Sequence, residues 1–219
     1  MTDVQENCRR VLDRIHDAAA KSHRDPASIR LIAVTKTVPA ERIREAVEQG
    51  IADIGENRLQ EALTKRPALK DLPLKWHFIG HLQSNKAKKV VEHFDVVQSV
   101  DGFDLAEKLN QYASPRLPIL VEVELGNELT KSGIPEHDLP ELLQQLKGCD
   151  RLDVRGLMAI PPYFENAEES RPYFARLRRM AGQFGLPELS MGMSHDFDVA
   201  VEEGATMVRI GTALFGERR

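Results

Sequence analysis

Leu31–Pro39, with the sequence LIAVTKTVP, is a short apolar run that ends in a single lysine, Lys36. Pro39 suits the first turn of a helix, because its missing N–H would have no intrahelical partner there. Gly50 stands where that helix would end. The pattern therefore predicts a buried strand with Lys36 at its carboxyl end and a helix directly behind it. α/β folds place their chemistry at this end of their strands, and the alternative is an ordinary solvated lysine.

The composition is that of an ordinary globular protein, since 42% of the 219 residues are hydrophobic and 29% are charged. The formal net charge of −4 argues against a dedicated nucleic-acid binder, so the lysine cluster at 86–89 is interpreted as a solvated face. Cys8 and Cys149 lack the neighbours of a disulfide framework or a zinc site. The N-terminus has no signal-peptide profile, and no apolar run is long enough to span a bilayer. We therefore expect one cytoplasmic domain, residues 1–219, with no metal and with neither nucleic acid nor membrane as a partner.

A strand followed by a helix recurs along the chain. The predicted strands are residues 31–34, 52–57, 76–81, 96–101, 119–124, 154–159, 188–193 and 206–210. A first helix precedes them, opened by a capping box of Thr2 and Gln5. Eight such repeats without a break in composition predict a single (β/α)8 TIM barrel, an α/β fold, with an extra N-terminal helix. An open doubly wound sheet is the alternative, although it usually has fewer strands.

Single residues predict three local details. The helix after the second strand is expected to end before Pro67, because proline interrupts a helix interior. Asn166 is a candidate N-cap for the long helix behind the sixth strand, and Phe184 is expected on its buried face. A loop that contains Gly126 and Gly133 is expected between the fifth strand and its helix.

A barrel would bring the carboxyl ends of its strands into one small volume. The residues expected there are Lys36, Asn57, His81, Ser99, Asp101, Glu124, Met158, Ser194 and Arg209. Behind the last two strands, glycines and hydroxyls occur together in the segments 192–194 and 211–212. Glycine lets backbone N–H groups approach an oxyanion, and these two loops are the recurrent phosphate site of such barrels. Two ordinary capped turns are the alternative interpretation.

A lysine and a phosphate site in one barrel mouth indicate a phosphorylated aldehyde held as a Schiff base. The lysine must be neutral to attack a carbonyl, and both Arg209 and burial would favour its neutral form. Pyridoxal 5′-phosphate (PLP) fits this chemistry. A sugar phosphate in a class I aldolase, which also uses a barrel lysine, fits it as well.

Five motifs in order then resemble one known family, the pyridoxal phosphate homeostasis proteins. The motifs lie at residues 34–36, 55–57, 77–86, 192–196 and 209–211, and the resemblance covers essentially the whole chain. It implies a barrel like the N-terminal domain of bacterial alanine racemase, with PLP attached covalently to the lysine that matches Lys36.

The same resemblance implies roles for individual residues. Asn57 would lie near the ring, and Arg209 would face the pyridine nitrogen. The residues that would surround the phosphate are Ser194, Gly211 and Thr212. Met193 belongs to the same motif, and His81 and Met158 are further candidate contacts. His81 could equally bond a core carbonyl, and Met158 could equally fill the core.

The function that we expect is carriage of PLP in intracellular PLP homeostasis, without robust turnover. Racemization by two bases needs an acid or base on each face of the cofactor, and the sequence stops at Arg219, directly after the eighth strand. We therefore expect no second domain to supply that base, and a monomer. A cation beside the pyridine nitrogen would also weaken the cofactor as an electron sink. Apo-forms of PLP enzymes are the candidate protein partners.

Three alternatives stay open at this point. The first is a PLP-dependent amino-acid racemase that uses Lys36 and an unrecognised second base. The second is a Schiff-base aldolase without PLP. The third is a structural protein whose barrel holds no ligand.

Overall fold

Eight parallel strands close into a ring in the computed structural model, which describes residues 2–126 and 132–217. The strands in this part of the chain are β1 Arg30–Val34, β2 Asp53–Glu56, β3 Lys75–Phe78, β4 Val96–Val100, β5 Leu117–Glu124, β6 Ile134–Pro135, β7 Leu152–Met158, β8 Glu188–Ser190 and β9 Met207–Ile210. Neighbouring strands follow chain order, and β9 pairs with β1 to close the ring. The short strand β6 pairs with β5 at the rim. The predicted α/β TIM barrel is confirmed.

Helices surround the ring and follow the strands in turn. Within the described residues they are α1 Asp3–Lys21, α2 Ala40–Glu48, α3 Leu59–Leu69, α4 Ala87–His93, α5 Phe103–Tyr112, α6 Leu139–Leu146, α7 Arg171–Gln183, α8 Phe197–Glu202 and α9 Thr212–Phe215. The extra helix α1 packs against α2, α8 and α9. Thr2 and Gln5 form the predicted capping box at its start. None of the helices in the described ranges has both the length and the apolarity that a membrane span requires.

The apolar core has two parts, because each strand has one face toward the helices and one toward the barrel axis. The larger part lies between strands and helices. The smaller one is a cluster of Ile32, Val96, Leu120, Met158 and Met207. Burying side chains of this size contributes about 1.5–3 kcal/mol each. The apolar part of the interior is therefore a packed core and not an open channel.

Two helix predictions are wrong. Helix α3 continues through Pro67 to Leu69, which is only 2% exposed, so core packing outweighs the lost backbone hydrogen bond. Phe184 is 39% exposed, because α7 ends at Gln183 and the chain turns away there through Gly185, whose φ is +65°.

Two other local predictions are resolved in part. The Asn166 side chain does cap a helical turn, but the turn is the 3-10 segment Ala167–Ser170 that leads into α7. The loop predicted between β5 and α6 includes residues 127–131, which lie outside the described residues. Its end contains β6, a strand that the sequence did not predict.

Candidate functional site

Strand pairing places the lysine of the opening motif beside two other predicted site residues. Lys36 follows the end of β1, and Asn57 directly follows β2. The two strands are in register, with Val34 opposite Gly55, so these residues leave the sheet side by side. On the other side of β1, Arg209 of β9 is paired with Ile32. The carboxyl ends of β1, β2 and β9 therefore converge on the barrel mouth, as predicted.

The residues on both sides of Lys36 are held by carboxylates. The Thr35 hydroxyl donates to Glu56 Oε1 at 2.6 Å, and both residues are fully buried. The Thr37 N–H donates to the Glu61 carboxylate. Thr37 has a φ of +63°, which is uncommon for a β-branched residue and needs support from its surroundings.

Lys65 joins these two carboxylates. Its Nζ lies 2.8 Å from Glu56 Oε1, 2.6 Å from Glu61 Oε1 and 2.6 Å from the Thr35 carbonyl oxygen. These three acceptors match the three N–H groups of an ammonium. The Lys65 side chain is only 10% exposed, so the ion pairs are shielded from water. We call Glu56, Glu61 and Lys65 the lysine-loop clamp, because they fix the residues before and after Lys36.

The pKa values of the two clamp carboxylates move in opposite directions. Burial raises the pKa of Glu56 above its usual value, against the lowering effect of its hydrogen bonds from Lys65 and Thr35. For Glu61 the smaller burial penalty is outweighed by Lys65 and by the Thr37 N–H, and its pKa is lowered. Glu56 Oε2 is also buried without a hydrogen-bond partner among the described residues. Loss of Lys65 would therefore leave the buried Glu56 carboxylate without its cation.

Arg209 is almost completely buried at the end of β9. Its Nη1 donates to Ser190 Oγ at 2.6 Å, and its Nη2 donates to the Ala159 carbonyl oxygen at 3.0 Å. Burial lowers the pKa of Arg209 to about 10, while the charges of Glu122 and Asp196 oppose this shift. The guanidinium remains positively charged at neutral pH.

Glu122 brings a carboxyl group to the same region from β5. It is 6% exposed, and burial raises its pKa to about 7, with Arg209 lowering and Asp101 raising it. A carboxyl group with such a pKa exchanges its proton at neutral pH. The sequence pointed instead to Glu124, whose Oε1 accepts the Gly126 N–H at 2.7 Å.

The loops behind β8 and β9 are tied together by one hydroxyl. Ser194 Oγ accepts from the N–H of Gly211 at 3.3 Å and from the N–H of Ala213 at 3.1 Å. Gly192 has a φ of +89°, and a Cβ there would lie 2.5 Å from the Cβ of Ala200, so glycine is required. Two backbone N–H groups thus converge on a single oxygen at the predicted phosphate site, the segments 192–194 and 211–212, which we call the phosphate corner.

The remaining predicted site residues differ in how far they reach the mouth. Thr212 is exposed in the phosphate corner. Met193 is half-buried, and its N–H is already bonded to Asp196 Oδ1 at 2.7 Å. His81 is exposed, with Nδ1 3.2 Å from Asp101 Oδ2. Met158 is completely buried in the interior cluster.

Ser99 and the lysines at 86–89 show no sign of a binding site. Ser99 Oγ donates to the Gly80 carbonyl oxygen at 2.6 Å. The lysines of the 86–89 cluster are exposed, as predicted for a solvated face. Among the described residues, no group of three or more His, Cys, Asp or Glu side chains could hold a metal ion.

Comparison with known proteins decides the family. The family model for the N-terminal domain of alanine racemase matches residues 8–219. A pyridoxal phosphate homeostasis protein of Pseudomonas aeruginosa is 47% identical, over 100% of this chain and 97% of its own length. One from Aquifex aeolicus is 46% identical over 98% of each chain. This chain belongs to the pyridoxal phosphate homeostasis protein family.

A solved structure of the family shows the same fold. PipY of Synechococcus elongatus PCC7942, determined with PLP bound, is 43% identical and has a TM-score of 0.82. The comparison covers 93% of this chain and 100% of that one. The family resemblance found in the sequence is therefore confirmed over nearly the full length.

Sequence reasoning missed the residues that support the mouth of this family member. The clamp was missed entirely, and the interior polar residues Gln98 and Ser190 were taken for ordinary strand residues. A signal was present, because the long polar side chain of Gln98 lies among the valines of β4, and a buried polar side chain requires a partner. Its partners belong to distant strands, so no local pattern identifies them.

Proposed function

We propose that this protein binds PLP as a Schiff base with Lys36 and acts in intracellular PLP homeostasis without robust turnover. The observation that carries the proposal is the lysine-loop clamp, which holds the backbone around Lys36 at the same end of the barrel as Arg209 and the phosphate corner. The names of its relatives and the PLP-bound structure of PipY support the choice of PLP.

The mouth residues fit this cofactor. Asn57 Oδ1 is buried and has no hydrogen-bond partner among the described residues, which is the state of an acceptor that a ligand can satisfy. The Ser194 hydroxyl accepts from two backbone N–H groups and keeps its own proton, so it and the exposed Thr212 hydroxyl are suited to donate to phosphate oxygens. PLP, when bound, supplies an aldehyde that condenses with a primary amine and a ring that withdraws electrons.

The residues of this chain would share the work of binding and orientation. Lys36 supplies the primary amine, which must be neutral to attack the aldehyde. The clamp restricts the loop, so little conformational entropy is lost when the amine is held in place. Ser194 and the turn at Gly211 hold the phosphate end.

Arg209 supports carriage over catalysis. A guanidinium can only donate hydrogen bonds, so a pyridine nitrogen that faces it must act as an acceptor and stay unprotonated. An unprotonated ring gains less from accepting electrons of a substrate carbanion. The protein would therefore bind and release PLP more readily than it would catalyse a reaction with it.

Glu122 favours a second candidate function, an amino-acid racemase. A buried carboxyl with a pKa of about 7 is suited to general acid–base catalysis. Glu122 would then serve as the second base of the racemase.

Two assays test the proposed function. Titration of the PLP-free protein should show tight binding of PLP and at least about tenfold weaker binding of pyridoxal, because the phosphate contacts are lost. PLP-loaded protein should then interconvert D- and L-amino acids of a full panel far below about 1 per second, the low end of ordinary enzyme rates.

Each assay has an outcome that contradicts the proposal. Equal affinity for pyridoxal and PLP would exclude the phosphate corner. Turnover at ordinary enzyme rates that is lost in Glu122→Gln would establish the racemase instead.

A further inference from the structure

A continuous line of hydrogen bonds runs through the barrel interior to Arg209. It passes through five side chains, on β2, β3, β4, β8 and β9: Asp53, His77, Gln98, Ser190 and Arg209. The successive distances are 2.7 Å from His77 Nε2 to Asp53 Oδ1, 2.9 Å from Gln98 Nε2 to His77 Nδ1, 2.6 Å from Ser190 Oγ to Gln98 Oε1 and 2.6 Å from Arg209 Nη1 to Ser190 Oγ. The three middle residues are completely buried. We call this line the interior chain.

The direction of the interior chain is fixed at its Arg209 end. Arginine only donates, so Ser190 Oγ must accept from it and has one proton left for Gln98 Oε1. The Gln98 amide then presents its N–H to His77 Nδ1, which must be unprotonated. The remaining imidazole proton lies on Nε2 and is donated to Asp53. All four bonds therefore run head to tail, away from the mouth.

Reversing any link leaves a buried group without a partner. If His77 were protonated, Nδ1 would have to donate, the Gln98 amide would have to turn over, and the Ser190 hydroxyl would lose its acceptor. Such an unpaired buried group is costly. Burial also lowers the pKa of His77, against the raising effect of Asp53. The positive charges of Lys75 and Arg30 lower the pKa of His77 further.

The interior chain restrains the plane of the Arg209 guanidinium. Ser190 binds one terminal nitrogen, and the Ala159 carbonyl binds the other. Each of these nitrogens carries a second hydrogen that a ligand acceptor can use. Because the guanidinium is planar, two fixed hydrogen bonds set the directions of the others.

We propose that Ser190, Gln98 and His77 are positioning residues that orient Arg209 toward the bound cofactor, a role that rests on the proposed function. None of the three needs to touch the cofactor. Their effect passes through the guanidinium. A substitution of Gln98 that interrupts the interior chain should therefore change the environment of the cofactor from inside the barrel.

Variants that break the interior chain should alter the cofactor and not only the fold. Ser190→Ala removes the acceptor of Arg209, and we expect PLP to bind about ten- to hundredfold more weakly, with a shifted absorbance maximum. Gln98→Met is similar in shape and should shift the maximum in the same direction, with a smaller loss of affinity. Ser190→Thr keeps the hydroxyl and should restore the parent spectrum.

A matched control separates positioning from stability. Val96→Ala removes apolar volume from the same part of the barrel without touching the interior chain. It should lower the melting temperature while leaving the spectrum and its pH profile unchanged. If Ser190→Ala and Gln98→Met behave like Val96→Ala, these residues are structural only and the proposal is overturned.

A second measurement does not require PLP. Nitrogen-15 NMR of histidine-labelled, PLP-free protein should show His77 neutral at pH 7 with its proton on Nε2. A charged ring, or a proton on Nδ1, would overturn the interior chain even if PLP binds. A parent protein with the expected tautomer that fails to bind PLP would instead overturn the proposed function, and the positioning role with it.

Discussion

At the scale of single residues, Glu122 combines an ionisable group with an apolar environment. Its carboxyl is 6% exposed, and burial is the main cause that raises its pKa from the ordinary 4.5 to about 7. In the unfolded chain the same group ionises at its ordinary pKa. Between pH 4.5 and pH 7 the folded protein therefore binds more protons than the unfolded one, and its stability falls as the pH rises.

Replacing Glu122 with glutamine should remove this pH dependence. Relative to the parent, Glu122→Gln should gain stability as the pH rises through this window, by roughly 3 kcal/mol at most, since one pKa unit corresponds to about 1.4 kcal/mol. Urea unfolding of both proteins across this pH range measures the difference. Glu92→Gln, on the exposed surface of α4, is the control. Parallel curves for Glu122→Gln and the parent would show that the carboxyl titrates normally.

At the scale of elements, the loop between β1 and α2 owes its shape to α3. Glu61 and Lys65 lie one turn apart on α3 and reach the residues on both sides of Lys36. Glu56, at the end of β2, completes the contact and is fully buried. The position of the lysine therefore depends on a helix about 30 residues further along the chain.

Removing the cation of the clamp should damage both stability and Schiff-base formation. Lys65→Met leaves two carboxylates facing each other, and breaking a buried ion pair in this way costs about 3–5 kcal/mol. The loop that carries Lys36 should lose its fixed shape, so Schiff-base formation should slow at least about tenfold, as expected for lost positioning. Urea unfolding and stopped-flow absorbance with PLP measure the two effects.

Two further variants give the clamp prediction its controls. Lys70→Met, on an exposed residue at the end of the same helix, should change neither quantity. The double variant Lys65→Met with Glu56→Gln should recover part of the stability, because the fully buried charge is gone. Unchanged Schiff-base kinetics in Lys65→Met would show that the clamp does not position Lys36.

The sequence predicted the elements better than the contacts between them. Apolar runs of four to eight residues and the glycines behind them predict strands and turns, because they depend on neighbours in the chain. The course of α3 through Pro67 depends on the burial of Leu69, and the exposure of Phe184 depends on where α7 ends. The clamp and the interior chain join residues from different strands and helices, so only the closed barrel brings them together.

At the scale of the whole molecule, closure of the ring of strands brings Lys36 and the phosphate corner to the same end of the barrel. The pairing of β1 with β9 sets Ile32 against Arg209 and Ala33 against Ile210. Residues separated by most of the chain thus become neighbours, and Lys36 and the phosphate corner lie at the same end of the sheet. The fold is shared with PipY, whose solved structure contains PLP and matches this chain with a TM-score of 0.82.

The central claim is that PLP is bound covalently to Lys36. The most direct measurement is reduction of PLP-loaded protein with borohydride, followed by digestion and mass spectrometry of the peptides. We expect one phosphopyridoxyl group per chain, located on Lys36, and none in Lys36→Ala after the same treatment. A stable modification on another lysine of the parent protein, or full retention of the Schiff-base absorbance in Lys36→Ala, would contradict the account.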